Sequence, residues 1–172
     1  MAGAVCLGVS LVNIIKKPKR SVKKRLAIQS LQVAIAKEEG AFFGDSINCP
    51  LIHHFADGCY VREIFIPKGT IVVGKIHKHS HPNFIVKGRV LVVTEAGRNY
   101  FEAPCFMISP ASTKRVVYTL EDTIWVTVHV TKEKDLNKIE DEIIAKDFRE
   151  IGLKDPMLDL IDLLKGDGKC LG

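Results

Sequence analysis

Paired cysteines are missing from the sequence. Its five cysteines are odd in number, lie far apart and include no Cys-x-x-Cys pair. This usage is not that of a secreted disulfide framework or a zinc knuckle, and it favours a reducing compartment. A chain of 172 residues can bury a core without cross-links, so a bound metal would serve function rather than folding.

Long hydrophobic runs are missing as well. The longest uncharged run, residues 2–15, is shorter than the about 20 apolar residues of a transmembrane helix. The basic residues follow this run, whereas a secretory signal carries them in front, and neither end has a lipidation pattern. These features predict a cytoplasmic protein with no membrane partner.

Several motifs of common enzyme classes are absent too. The chain has no P-loop, no glycine-rich dinucleotide fingerprint, no nucleophile elbow and no paired carboxylates. The sequence therefore disfavours ATP hydrolysis, dinucleotide-dependent redox chemistry and α/β-hydrolase chemistry.

The net charge of +5 is concentrated in one short segment. Seven of the residues from 16 to 25 are Lys or Arg, and none is acidic. Such a segment can attract phosphates or contribute to dimer contacts. It contains no aromatic side chain to stack on bases, so we interpret it as solvated and rank nucleic-acid binding last.

The chain divides into three parts. Residues 1–50 contain the basic segment and a predicted helix over 21–39, which ends before Gly40. Residues 51–131 form many short β-branched and aromatic runs separated by turn signals, the pattern of an antiparallel sandwich or barrel. Residues 132–172 return to a helical period and predict two amphipathic helices, the first reaching Phe148 and the second beginning at Pro156.

All six histidines lie in the β region. His77, His79 and His81 alternate with other residues, so an extended backbone would point all three to one face. Neutral imidazole is a common transition-metal ligand, and three protein ligands leave coordination positions for water or substrate. The alternative is a polar strand edge that carries surface histidines.

His129 lies in a strand with two distinct faces. Trp125, Thr127 and His129 share one face, and valines occupy the other. If the valines face the core, His129 is exposed; if the other face lines a cavity, His129 is a further ligand candidate. The nearest carboxylate by strand position is Glu63, which we interpret as half of a surface pair with Arg62.

Two segments resemble the conserved motifs of the cupin superfamily. Residues 67–70, 74–81 and 84–90 look like the first motif, and residues 103–118 with 121–123 are similar to the second. The likeness covers about residues 51–131 and is nearest to small single-domain cupins of unassigned function from tailed bacteriophages and bacteria. It implies a short antiparallel jelly-roll barrel with a pocket in its mouth for a divalent metal or a small ligand. Together with the helical patterns on either side, this predicts an all-β core flanked by N- and C-terminal helices.

The resemblance also implies a ligand set. Counted back from Gly88, the family's glutamate ligand falls on His81 and its paired histidines fall near Lys75 and His77, while its second-motif histidine falls near Arg115. The carried-over pair is His77 and His81, with His79 and His129 as candidates to complete a site for iron, manganese, nickel or zinc. Lys75, Arg115 and Tyr118 are candidates to bind a small anionic ligand.

Two functions remain open from the sequence. The first is a metal-dependent cupin enzyme, an oxygenase or an isomerase, that acts on a small anionic ligand. The second is a non-catalytic assembly or structural module of a phage particle, built on a degenerate barrel and located in the host cytoplasm or the virion. We expect a homodimer in either case.

Overall fold

The computed structural model describes residues 12–42 and 45–166. Cys6 and Cys170 lie outside this part of the chain. Its helices are α1 Val12–Ile35, α2 Leu136–Ile143 and α3 Pro156–Gly166. Its strands are β1 Leu51–Ala56, β2 Cys59–Ile66, β3 Ile71–Val73, β4 Ile76–His77, β5 His81–Lys87, β6 Arg89–Thr94, β7 Gly97–Glu102, β8 Cys105–Ser109, β9 Arg115–Thr119, β10 Thr123–Val130 and β11 Ile144–Ala145. None of the helices described is long and apolar enough to cross a membrane.

Two antiparallel sheets form the body of the protein. The five-stranded sheet has the order β1-β2-β10-β5-β8, and the four-stranded sheet has the order β3-β9-β6-β7. Partners such as β2 and β10, or β3 and β9, are distant in sequence, which is the jelly-roll arrangement rather than a chain of hairpins. The predicted all-β core with flanking helices is confirmed.

An apolar cluster holds the two sheets together. Ile85 and Trp125 come from the five-stranded sheet, and Val90, Val92 and Val117 come from the four-stranded sheet, all at most 5% exposed. Strands send alternate side chains to opposite faces, so these residues meet between the sheets. Full burial of one such side chain contributes about 1.5–3 kcal/mol. The cluster fills only part of the interior and leaves the remainder to polar side chains.

Helix α1 begins earlier than predicted and contains the basic segment. At its centre Arg25 is buried, with its Nε 2.6 Å from a Glu95 carboxylate oxygen and its guanidinium 4.7 Å from the centre of the Phe148 ring. Lys24 donates to the Glu95 carbonyl oxygen at 2.8 Å. The prediction of a wholly solvated basic segment is therefore wrong at its C-terminal end, where these residues attach the helix to the barrel.

The helix predicted to reach Phe148 ends earlier. Ile144 adopts extended backbone angles, and β11 then pairs with β4, with Ile144 opposite His77. Phe148 lies beyond the helix, 1% exposed, in a cluster with Ile76 and Ala145. Helix α3 starts at Pro156 as predicted, and Asp155 caps it by accepting from the N–H groups of its first turn.

Candidate metal centre and cavity

Three histidines meet inside the barrel. His77 ends β4, His81 begins β5 and His129 lies near the end of β10. The ring centres are 4.1 Å apart for His77 and His81, 4.7 Å for His81 and His129, and 5.1 Å for His77 and His129. One nitrogen from each ring lies within 4.8 Å of the other two.

A turn between β4 and β5 decides which histidines take part. The chain does not continue as one extended strand from His77 to His81, because β4 pairs with β11 and Lys78 donates its N–H to the Ile143 carbonyl oxygen at 2.8 Å. The turn brings His77 and His81 face to face. His79 is exposed at the tip of this turn and does not reach the cluster, so the expected site of three alternating histidines on one face does not form.

The inward face of β10 settles the position of His129. Trp125 and His129 are 4% and 5% exposed, whereas Val130 on the opposite face is 88% exposed. Of the two arrangements that the sequence allowed, the structure therefore has the one in which this face lines the interior. Tyr60 of β2 lies opposite His129 in the sheet, and the two rings stack with centres 6.0 Å apart.

The three nitrogens that converge have no protein partner. Nδ1 of His77, Nε2 of His81 and Nε2 of His129 are buried and form no hydrogen bond within the part of the chain that the structure describes. Burial, reinforced by the neighbouring imidazoles, lowers the pKa of His77 to about 2, and burial with the proximity of His81 lowers the pKa of His129 to about 4. Burial also lowers the pKa of His81. All three rings are therefore neutral at pH 7.

These observations fit a divalent transition metal. A buried polar atom without a partner costs about 1–3 kcal/mol, and three such atoms in one place call for a shared partner. Neutral imidazole nitrogens are suited to zinc, copper, iron and nickel. Three protein ligands also leave coordination positions open, which is the arrangement of catalytic rather than structural sites.

Groups behind the histidines hold them in place. Nδ1 of His81 lies 3.3 Å from the carbonyl oxygen of His79, to which a protonated Nδ1 donates a hydrogen bond. The hydroxyl of Tyr60, which stacks on His129, lies 2.7 Å from Nδ1 of His53. A hydrogen bond such as that of His81 fixes ring orientation and tautomer at metal sites.

A cavity of about 970 Å³ opens beside the histidines. His77 and His81 contribute to its wall, together with Trp125, Thr127 and the end of α1. This volume lies within the range of sites that enclose small-molecule ligands, about 300–1,000 Å³.

Arg115, an anion-binding candidate from the sequence, begins β9 and lines the cavity. Its guanidinium donates to Oδ1 of Asn83 at 3.2 Å and to the hydroxyl of Ser109, and it lies 5.7 Å from the centre of the Trp125 ring. Asn83 is fully buried and also accepts from Nε1 of Trp125 at 3.0 Å. Burial lowers the pKa of Arg115 to about 10, so it stays charged at neutral pH.

Arg62 also lines the cavity, and the sequence interpretation missed it. The expected surface pair with Glu63 does not form, because adjacent strand residues face opposite ways and Glu63 instead lies 3.2 Å from Nε2 of His54. Arg62 lies two residues after Tyr60 on β2 and therefore points to the same inward face. The aromatic and apolar residues at the alternate positions 60, 64 and 66 are the signal that could have revealed the inward face of β2.

The other two anion-binding candidates differ in position, because Lys75 contributes to the cavity wall and Tyr118 does not. Nζ of Lys75 is 2.5 Å from Glu140, and both side chains are about half exposed. Tyr118 follows the inward Val117 on β9 and is 39% exposed on the outer side. Of the sequence candidates, the structure brings together His77, His81 and His129, and it places Arg115 and Lys75 in the wall of the adjoining cavity.

Solved structures that align with this chain include several cupins. A cupin superfamily protein from Desulfitobacterium hafniense is 8% identical over 52% of this chain and 84% of that chain, with a TM-score of 0.44. An RmlC-like cupin from Shewanella frigidimarina is 17% identical over 57% of this chain and 95% of that chain, with a TM-score of 0.44. Ectoine synthase from P. lautus is 12% identical over 64% of this chain and 81% of that chain, with a TM-score of 0.47.

Comparison with known protein families gave no match, and comparison with curated proteins gave none either. The fold follows from the strand pairing of this chain itself: two antiparallel sheets packed face to face, with partners distant in sequence. The barrel of this chain therefore has an antiparallel jelly-roll fold.

Proposed function

We propose that this protein binds a divalent transition metal at His77, His81 and His129 and takes a small anionic ligand into the adjoining cavity. The observation that carries the proposal is the convergence of three buried imidazole nitrogens that have no hydrogen-bond partner among the described residues. Satisfied histidines of a structural core would instead donate to or accept from neighbouring groups.

The residues of the site have separate tasks. The three imidazoles would hold the metal, which when bound supplies Lewis-acid or oxygen-activating chemistry of the kind used by oxygenases and isomerases. Arg115 is held by Asn83 and Ser109 and presents a fixed positive charge to an anionic group. The apolar cluster around Trp125 lies beside this site, and Trp125 contributes to the cavity wall.

Metal analysis of purified, tag-free protein tests the proposal. The comparison is between wild type, His77→Ala with His81→Ala, and His79→Ala as the matched control, because His79 lies in the same turn but outside the cluster. We expect near-stoichiometric iron, manganese, nickel or zinc in wild type and in the control, and none in the double variant. Absence of metal from wild type after reconstitution, or equal metal in all three proteins, would refute it.

A second candidate function is assembly without catalysis, favoured by the outer face of the five-stranded sheet. Phe84 and Phe106 stack there with ring centres 5.9 Å apart, and Val86 and Ile108 beside them are each 57% exposed. Contiguous apolar surface of this kind is typical of interaction sites. We propose a second copy of this chain as the partner, consistent with the expected homodimer.

Light scattering tests the assembly role. Wild type should have the mass of a dimer, and Phe106→Ser, on the edge strand β8, should shift it towards a monomer. Tyr100→Ser is the control, because Tyr100 is equally exposed on the other sheet, at 65% against 66%. A monomeric wild type would exclude this role for the apolar face.

A further inference from the structure

Two arginines of the described chain line the cavity without an ion-pair partner, and the acidic residues of the same wall, Glu38 and Glu39, are exposed in the turn after α1. Arg62 comes from the five-stranded sheet and Arg115 from the four-stranded sheet, and both line the same cavity. Within residues 12–42 and 45–166, neither guanidinium forms an ion pair with a carboxylate. The carboxylates that favour the charged form of Arg62 are those of Glu140 and Asp45, and Glu140 is itself paired with Lys75.

The strand register places the two guanidiniums at one level of the barrel. Arg62 lies opposite Thr127 on β10, and Thr127 lies opposite Asn83 on β5. Arg115 reaches across from the other sheet to donate to that same Asn83. The next row towards the strand ends contains His129, opposite Tyr60, so the guanidiniums and the imidazoles occupy adjacent rows.

Arg115 is oriented but not neutralised. Asn83 and Ser109 accept two of its N–H groups, and both acceptors are uncharged. A guanidinium has five N–H donors, so further donors remain for a ligand. Burial lowers the pKa of Arg62 as well as that of Arg115, which reflects the cost of holding each charge away from water.

A divalent metal bound to the histidines of the adjacent row would add to the positive charge of the cavity. Buried charge of one sign is costly unless a counter-charge accompanies it, so the cavity is built for a ligand that supplies more than one negative charge.

We propose that the ligand is a small dianion bound between Arg62 and Arg115, and that Arg62 determines the specificity for the second negative charge. The inference deepens the proposed function, on which its metal-side contact rests. Two sources share this chemistry, a dicarboxylate and a phosphate group. A cavity of about 970 Å³ has room for either with an organic portion attached.

Calorimetric titration of the metal-loaded protein tests this proposal with three probes: succinate, inorganic phosphate and propionate. Either dianion should bind at least about tenfold more tightly than the monoanion propionate, and the stronger of the two identifies the ligand class. Arg62→Gln should lower the affinity for the preferred dianion about tenfold or more and leave the affinity for propionate nearly unchanged. Arg62→Lys should recover part of the loss, because it restores the charge without the planar fork.

Arg89→Gln is the matched control, because Arg89 also lies in a strand but is about half exposed and paired with Glu121. Arg115 is not used for this test, since its loss would also remove the hydrogen bonds that it donates to Asn83 and Ser109. Equal affinity for dianions and propionate in wild type would overturn the proposal without any variant. So would an Arg62→Gln protein that binds the dianion as wild type does.

Metal content, measured on the same samples, separates the two proposals. A protein that contains metal but does not distinguish dianions from propionate keeps the proposed metal site and loses the dianion inference. A protein without metal that still prefers dianions in an Arg62-dependent way loses the metal site and keeps the inference. Far-ultraviolet circular dichroism of each variant confirms that it has folded.

Discussion

Asn83 is the residue whose removal should affect stability most among the polar groups of the cavity. Its side chain is fully buried. Oδ1 accepts from Nε1 of Trp125 at 3.0 Å and from Arg115 at 3.2 Å, and Nδ2 donates to the carbonyl oxygen of His81 at 3.0 Å. One side chain therefore connects the apolar cluster, the cavity guanidinium and the metal row. Asn83→Ala removes all three bonds at once.

The expected loss follows from those bonds. Each buried donor or acceptor left without a partner costs about 1–3 kcal/mol. His81, Arg115 and Trp125 all line the adjoining cavity, so its water can partly replace the partner that each of them loses. We therefore expect the free energy of unfolding to fall by about 3 kcal/mol, nearer the lower end of the summed range. With a urea slope of about 2 kcal/mol/M, the midpoint should fall by about 1.5 M.

Trp125 provides the assay, because it is the single tryptophan of the chain. Urea unfolding followed by its fluorescence reports stability, and its emission before unfolding should shift to the red as Nε1 loses its buried acceptor. Asn99→Ala is the control, since Asn99 is an exposed strand residue and its removal should change the midpoint little. A loss below about 1 kcal/mol with unchanged emission would refute the role assigned to Asn83.

Three further predictions concern other parts of the structure. Burial raises the pKa of the Asp155 carboxyl, but the hydrogen bonds that it accepts outweigh burial and hold the pKa below its ordinary value. The stability that the ionised carboxylate contributes is therefore present above about pH 4 and is lost as the pH falls through the lowered pKa. Asp155→Asn should therefore cost about 2 kcal/mol at pH 7 and unfold with a weaker acid dependence in pH-series melts. Gly88→Ala should prevent accumulation of soluble protein in expression trials, because Gly88 has φ +88° and an added Cβ would lie 2.4 Å from the Asp122 carbonyl oxygen. Arg25→Ala should lower stability by about 2 kcal/mol in urea unfolding through loss of the partly buried pair with Glu95, and a loss near zero would contradict that contact.

Much of the barrel could be predicted from local sequence pattern. Short alternating runs separated by turn signals predicted most of the strands, and β10 begins and ends at the predicted residues. The histidine distribution correctly directed attention to the β region, and the cluster of His77, His81 and His129 lies there. Alternation within one strand is a local property, which is why these features are visible in the sequence.

The composition of the site depended on pairings that local pattern does not encode. His79 is excluded because the chain turns after β4, and that turn is held by β11, which begins at Ile144. The two faces of β10 were equivalent by pattern until the packing of both sheets put Trp125 inside. Arg62 was misplaced for the same reason, since an Arg-Glu pair on a strand is typical of a solvated surface.

The register of the five-stranded sheet explains why these particular residue types share one interior. Ile64, Trp125 and Ile85 form an apolar row, and the row beside it contains Arg62, Thr127 and Asn83. The metal row follows, with His129 opposite Tyr60 and His81 opposite Ser109.

A one-residue slip of β10 would exchange Trp125, Thr127 and His129 for valine and isoleucine side chains in every row at once. The apolar row resists that slip, because it would expose Trp125 and bury the other face against the guanidiniums. The packing that stabilises the fold is therefore what keeps the imidazoles and the guanidiniums in adjacent rows, and the site needs no additional structure to align it.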